Sequence, residues 1–442
     1  MKRIKNTDIL QVITEWQNHI LRIKGIKRDY ESVLLSTMGS KPIKIITGFR
    51  RSGKSFLTQR VAKKLVEDQR FAIDNILYLN FEDFRLIEIN TPEKLNGIYQ
   101  VFKSNIADSG KKLLIFDEIQ NVSAWDRFVR TIYELEDDIE IILTGSNSEL
   151  LSSEIGSNLA GRFIEFSIFP FDFKEFLKYR DIEIASDVEF FRNYDEIQKL
   201  FVDFIKFGGL PETFTISNGS ARFSYIEGVV SKVILDDIIE RFQVKHVAVI
   251  EKVLIYLLSG VGNIISFKRI MNYLKPLGIK VKQETLIDYV QYILKSFALY
   301  ETQKFDWKLG RLFETTRKYY SVDTGLINLY QGAVNDFTSQ LENIVFLKLK
   351  RSGCPVYFGA LKSGKEIDFI VQQKNKKYQK FQVCQTLTNE NHKRELSSFN
   401  LKDTYLEAGE NFLLTLDAHE EEIFFKENSV YKKNIVKWLL LS

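Results

Sequence analysis

The pattern of apolar and polar positions changes character several times along this chain. Ahead of about Lys41, the stretch from Ile9 to Tyr30 carries apolar residues at helical spacing, interrupted at Gly25, and predicts a helical preface. From Ile43 onward, short apolar runs alternate with helical patterns, as in a parallel α/β sheet. The predicted strands are Ile43 to Thr47, Ile76 to Phe81, Leu113 to Asp117, Ile139 to Thr144 and Arg162 to Ile168. After Pro170 the pattern turns helical, beginning with Phe171 to Leu177, and Phe207-Gly208-Gly209-Leu210-Pro211-Glu212 is a sharp breaker at a domain seam. From about His246 to Leu326 the chain predicts a winged helix. Helices at Val247 to Leu258, Ser266 to Leu274 and Thr285 to Leu294 precede strands Ala298 to Thr302 and Lys318 to Val322, which flank a wing carrying Lys304, Lys308, Arg311 and Arg317. The final region has a helix bearing Glu342, a strand Glu366 to Ile370, a polar tip Gln372 to Lys380 and a return strand Phe381 to Thr386. The tip lysines Lys374, Lys376, Lys377 and Lys380 predict a solvated loop, and Ile435 to Leu441 a closing helix.

Two motifs carry the chemistry. Gly48-Phe49-Arg50-Arg51-Ser52-Gly53-Lys54-Ser55 fits G-x-x-x-x-G-K-[ST], between a predicted strand and a helix that begins at Phe56. Its glycines permit backbone angles that let successive N–H groups curl around an anion. The following helix adds positive potential at the same spot, Lys54 adds a full charge for the terminal phosphates, and the Ser55 hydroxyl suits Mg²⁺. The second motif is Leu113-Leu114-Ile115-Phe116-Asp117-Glu118, an apolar run read as a strand buried on both faces and ending in two carboxylates. Ligands sit at the carboxyl ends of such strands, so Asp117 is expected beside Ser55 as a Mg²⁺ ligand. Glu118 is the expected base for a water attacking the γ-phosphate. ATP and Mg²⁺ are the expected cofactors. Thr144-Gly145-Ser146-Asn147 ends the fourth strand in polar groups level with Asp117, where Ser146 could hold that water. Arg162 opens the last strand at the opposite end of the sheet, where it could serve a neighbour's ATP as an arginine finger in trans.

The bulk properties narrow the rest. At 442 residues several domains are expected: a preface at 1–40, a P-loop domain at 41–170, a helical region at 171–245, a winged helix at 246–330 and a last domain at 331–442. A hydrophobic content of 45% excludes wholesale disorder. The net charge of +4 is too near balance to demand nucleic acid, so a basic face for DNA would have to be local. Two cysteines and four scattered histidines argue against a zinc site or a disulfide scaffold. No secretion signal and no stretch long enough to span a bilayer is present, so a cytoplasmic protein without a membrane partner is expected.

Further stretches extend the pattern: Asn80-Phe81-Glu82-Asp83, Leu159-Ala160-Gly161-Arg162, Phe207 to Glu212, Tyr320-Ser321-Val322-Asp323-Thr324-Gly325-Leu326, Leu341-Glu342-Asn343 and Glu366-Ile367-Asp368-Phe369. With the two motifs above, the chain resembles a prokaryotic family of AAA-type ATPases fused to a C-terminal domain of unknown function with a degenerate PD-(D/E)xK nuclease-like fold. The resemblance implies an α/β P-loop sheet with an extra inserted strand, a helical and winged-helix middle, and an α+β nuclease-like end. An active site of that nuclease type needs two carboxylates for Mg²⁺ and a lysine for the attacking water. Glu342 and Asp368 match the acidic positions, but Gln382 stands for the second-strand carboxylate and Cys384 for the lysine. No nuclease activity is therefore expected. The leading expectation is an ATP-driven switch or motor acting on an unidentified protein partner. The rival is a nucleic-acid-processing ATPase that binds double-stranded DNA. A homo-oligomer is required if Arg162 acts as a finger.

Overall fold

The computed structural model of the chain describes residues 6–151, 159–305, 316–331, 336–360, 365–374, 377–400 and 409–442. Lys308, Arg311 and Lys376 lie outside them. The chain divides into two compact units, Met1–Ile168 and Phe169–Ser442.

The first unit is an α/β sheet. Helices α1 (Asn6–Arg22) and α2 (Asp29–Thr37) precede strand β1 (Ile43–Thr47) and helix α3 (Lys54–Glu67). Then come β2 (Ile76–Asn80), α4 (Pro92–Asn105), β3 (Lys112–Asp117), α5 (Trp125–Leu135), β4 (Ile139–Gly145) and β5 (Phe163–Ser167). The strands are parallel in the order β2-β3-β4-β1-β5. The unbroken apolar run of β3 reflects burial on both faces. Leu114 and Phe116 pack with the α4 and α5 side chains, whereas Leu113 and Ile115 pack with those of α2 and α3. Along the chain β2 comes between the two motif strands, but in space the interposed strand is β4. Every strand leaves its carboxyl end on one edge, which is where the chemistry gathers.

The second unit opens with helices, among them Phe173–Tyr179, Tyr194–Phe207 and Gly219–Lys232. The helices Val247–Ser259, Phe267–Leu274 and Gln283–Lys295 follow, with the short strand β6 (Ile264–Ile265) between the first two. The predicted breaker has a physical cause. Gly208 has φ 76°, and a Cβ there would lie 1.6 Å from the Asp323 carboxylate. That carboxylate accepts the N–H groups of Gly209 (2.6 Å) and Gly325 (2.8 Å).

The remaining strands are β7 (Leu299–Lys304), β8 (Arg317–Ser321), β9 (Val356–Ala360), β10 (Glu366–Gln372), β11 (Tyr378–Val383), β12 (Asn411–Thr415), β13 (Glu421–Phe425) and β14 (Asn428–Asn434). They form one nine-stranded sheet with β6, in the order β13-β14-β12-β11-β10-β9-β7-β8-β6. The hairpin β7–β8 is antiparallel, while β7 pairs in parallel with β9 through Gln303↔Tyr357 and Lys304↔Phe358. The boundary expected at residue 330 therefore falls inside a single sheet. The fold class is as expected: a P-loop-type α/β sheet followed by a helical region and an α+β region.

Candidate functional site

Backbone geometry builds the first half of the site. β1 ends at Thr47, and Gly48 follows with φ 145° at a point where a Cβ would lie 2.1 Å from the Ile168 carbonyl oxygen, so only glycine fits. Arg51 (φ 65°) and Gly53 (φ 94°) are left-handed, so the loop coils back and delivers Gly53 as the N-cap of α3. The first N–H groups of a helix have no partner within it and are left to face the loop. Lys54 is buried, and its ammonium donates to the carbonyls of Gly48 (3.1 Å) and Phe49 (3.3 Å). The Ser52 hydroxyl is buried with no hydrogen-bond partner among the described residues. Arg28, also buried, braces the loop by donating to the Ser52 carbonyl at 2.8 Å. Arg50 pairs with Glu82 at 2.6 Å, and the Phe56 ring packs close against the backbone of Gly25. A loop with inward N–H groups, a lysine held by exchangeable carbonyls and an orphaned hydroxyl fits a polyphosphate anion.

The second half comes from the end of β3. Asp117 is fully buried and accepts from Ser55 Oγ (3.0 Å), Tyr78 OH (2.7 Å) and the Thr144 hydroxyl. Gln59 donates in turn to Tyr78 OH at 2.8 Å. Burial, reinforced by the Glu118 charge, pushes the Asp117 carboxyl up despite those three hydrogen bonds. A carboxylate so placed gains from a cation, and with Ser55 Oγ it makes the donor pair a Mg²⁺ ion takes. Glu118 sits in the left-handed region (φ 53°, ψ 46°), which turns its side chain away from the line of β3. Its N–H donates to Thr144 Oγ1 at 3.0 Å. Its carboxylate lies 3.4 Å from the Lys54 ammonium and accepts from the Gln120 amide and, at 3.1 Å, from the Ser146 N–H. Burial pushes the Glu118 carboxyl up, but Lys54, Gln120, Arg50 and Ser146 outweigh it and hold it below the usual carboxylate range. It is thus an ionised acceptor at neutral pH.

Lys54, Ser55, Asp117, Glu118 and Ser146 therefore converge, with Ser146 meeting Glu118 through its backbone. Arg162 does not join them. Its carbonyl accepts the Ile43 N–H at the start of β1, about 16 Å from the phosphate loop at roughly 3.3 Å per strand residue. Its guanidinium pairs with Glu134 at 3.0 Å. Tyr78 and Thr144, which grip Asp117, were not singled out in sequence as its partners. Position at a strand's polar end was the available signal for Thr144, and nothing local marks Tyr78.

In the second unit, Glu342 and Asp368 are brought together with a residue that the sequence placed only in a strand beside the wing. Lys318 of β8 reaches Glu342 at 3.0 Å, Asp368 at 3.6 Å and Glu366 in an ion pair. Gln382 contacts the Asp368 backbone N–H at 3.4 Å through its side-chain oxygen and donates to Glu395 at 3.0 Å. Burial pushes the Cys384 thiol up to about 12, which leaves it un-ionised. No described helix is long and apolar enough to cross a membrane.

Comparison with known proteins fits this geometry. A family model described as an AAA domain matches residues 40–177, and one described as a domain of unknown function (DUF8612) matches residues 198–336. The unknown-function match thus falls on the helical stretch and on the strands β7 and β8 that follow it. An uncharacterized protein of Methanocaldococcus jannaschii is 30% identical over 421 residues, covering 94% of this chain and 90% of that protein. An uncharacterized protein of Haemophilus influenzae is 30% identical over 416 residues, covering 94% and 98%. Among solved structures, a Walker-type ATPase of Pyrococcus abyssi aligns with 71% of this chain and 99% of its own, at 15% identity and a TM-score of 0.44.

Proposed function

Because this chain belongs to one family with the Methanocaldococcus jannaschii and Haemophilus influenzae proteins and carries an AAA domain, we propose that it is a Mg²⁺-dependent ATPase that works as a switch or motor on a protein partner. The observation that carries the reading is the Glu118 carboxylate, ionised, buried and 3.4 Å from Lys54. A loop that only bound nucleotide would have no use for a second buried carboxylate beside Asp117. In this reading the N–H groups of residues 48–56 and the Lys54 ammonium hold the phosphates. Ser55 and Asp117 hold Mg²⁺, which when bound neutralises phosphate charge. Glu118 accepts the proton of the attacking water, with the Ser146 N–H fixing its orientation. Arg162 serves only an adjacent subunit, and must first leave Glu134.

The third helix of the expected winged helix supports a protein partner over DNA. Gln283–Lys295 exposes Glu284 and Asp288, carboxylates that would face phosphates with like charge. The carboxyl-terminal residues 331–442 are read as a nuclease-like domain that does not cut, since Gln382 and Cys384 supply neither the carboxylate nor the ammonium of that chemistry.

The test is steady-state phosphate release with Mg²⁺, with and without double-stranded DNA, beside Glu118→Gln. Turnover lowered roughly 10²–10⁴-fold in Glu118→Gln, and indifferent to DNA in the wild type, is expected. Turnover equal in the variant and wild type removes Glu118 from the reaction. Turnover that climbs with DNA turns the reading toward nucleic acid.

A further inference from the structure

The acidic cluster of the second unit contains its own cation. Three elements converge there: β8 with Lys318 and Tyr320, the helix Thr338–Arg351 with Glu342, and β10 with Glu366 and Asp368. The Lys318 side chain is 1% exposed, and the three carboxylates are its ion-pair partners. Glu342 Oε1 accepts both Lys318 (3.0 Å) and Tyr320 OH (2.7 Å). Its Oε2 lies 2.9 Å from where a Cβ on Gly262 would sit, so the backbone crowds that side. Asp368 Oδ2 accepts the Val383 N–H at 2.8 Å. The acids also line a cavity of about 650 Å³, with Lys365 and Arg394 on its wall.

Two buried carboxylates, Glu342 and Asp368, drawn together beside the half-buried Glu366 require a compensating cation. A divalent metal would need their oxygens within about 2.0–2.6 Å of one point. Here Glu342 and Asp368 lie 3.0 and 3.6 Å from an ammonium that Glu366 also pairs, and among the described residues no group of His, Cys, Asp or Glu is arranged to hold a metal ion. Burial alone would make Lys318 easier to deprotonate, but Glu342, Asp368 and Glu366 outweigh it and keep the ammonium charged.

We propose that Lys318 is the resident cation of this cluster, tethered from β8 in the place of a divalent metal, so that the carboxylates are retained as a metal-free structural core. The proposal deepens the non-cutting reading of the carboxyl-terminal region and rests on it only in that sense. Mn²⁺ is titrated into the nucleotide-free full chain, and free Mn²⁺ is followed by electron paramagnetic resonance. Wild type is compared with Asp368→Asn, Lys318→Met and the double variant, each checked for folding by circular dichroism. Any ion at the AAA part is common to all four and cancels. Identical binding by wild type and Asp368→Asn is expected, with one additional Mn²⁺ per chain in Lys318→Met that the double variant loses. A wild-type Mn²⁺ that Asp368→Asn removes overturns the proposal, as does a folded Lys318→Met that gains none. If Lys318→Met does not fold, the first comparison decides alone. Mn²⁺ bound at Asp368 without DNA cleavage sinks only the role of Lys318. Cleavage lost in Asp368→Asn sinks the non-cutting reading itself.

Discussion

Each unit buries a lysine against a carboxylate, and in each a tyrosine hydroxyl grips a buried acid of the same site at 2.7 Å: Tyr78 on Asp117, Tyr320 on Glu342. The two lysines differ in what holds them. Lys54 rests on two loop carbonyls and one carboxylate, and that carboxylate has Gln120 and the Ser146 N–H besides. Neutral carbonyls can give up the ammonium to an incoming phosphate and leave no charge stranded. Lys318 is pinned by three anions, and moving it would expose all three. A buried lysine is ready for a ligand when its partners are neutral and replaceable, and becomes structural when they are charged and many.

The sharpest way to break this contrast is at the base. Glu118→Gln keeps the shape of the side chain but removes its proton affinity, so turnover should fall roughly 10²–10⁴-fold while a fluorescent ATP analogue still binds. If the analogue is lost as well, Glu118 belongs to the binding apparatus. Next in size is Lys318→Met. Stranding buried charge typically costs about 3–5 kcal/mol, read as a drop in the urea midpoint with ATP turnover per folded molecule retained. Lys54→Met should do the reverse. Losing hydrogen bonds from a charged donor costs about 1.5–3 kcal/mol, so ATP affinity should weaken roughly 10- to 100-fold, with a smaller change in urea midpoint than Lys318→Met shows. A larger stability loss in Lys54→Met than in Lys318→Met would reverse the contrast. The smallest effects are expected from the tyrosines. Tyr78→Phe and Tyr320→Phe each remove one hydrogen bond, about 1 kcal/mol. Only Tyr78→Phe should also shift the Mg²⁺ dependence of turnover.

How much of this was legible in sequence follows from the range of each interaction. The phosphate loop is local: Gly48, Gly53 and Lys54 lie within seven positions, and their spacing alone dictates the turn. The β3 strand announced itself by its apolar run, and its carboxyl end placed Asp117 and Glu118. Tyr78 was hidden because its partner is 39 positions away and a tyrosine in a strand reads as core. The spatial place of β4 between β1 and β3 was hidden because sheet order is set by helix crossovers and not by any one strand's residues. Lys318 was hidden as well. It stands in a strand beside a predicted basic wing, yet that strand lies between β7 and β6 within a larger sheet, and its acidic partners are 24 or more positions away. The continuity of the sheet past residue 330 was hidden likewise, because strand pairing across about fifty residues leaves no local mark.

That continuous sheet has a consequence for how this region can be inherited. A chain divided after residue 330 would leave the edge of β7 on one piece and that of β9 on the other. Each would carry a row of unsatisfied N–H and C=O groups, open to pairing with stray strands. Lys318 would go with the first piece and its three carboxylates with the second. Recombination at that point would yield two aggregation-prone fragments, so the hairpin and the sheet beyond it are expected to pass between lineages as one indivisible block.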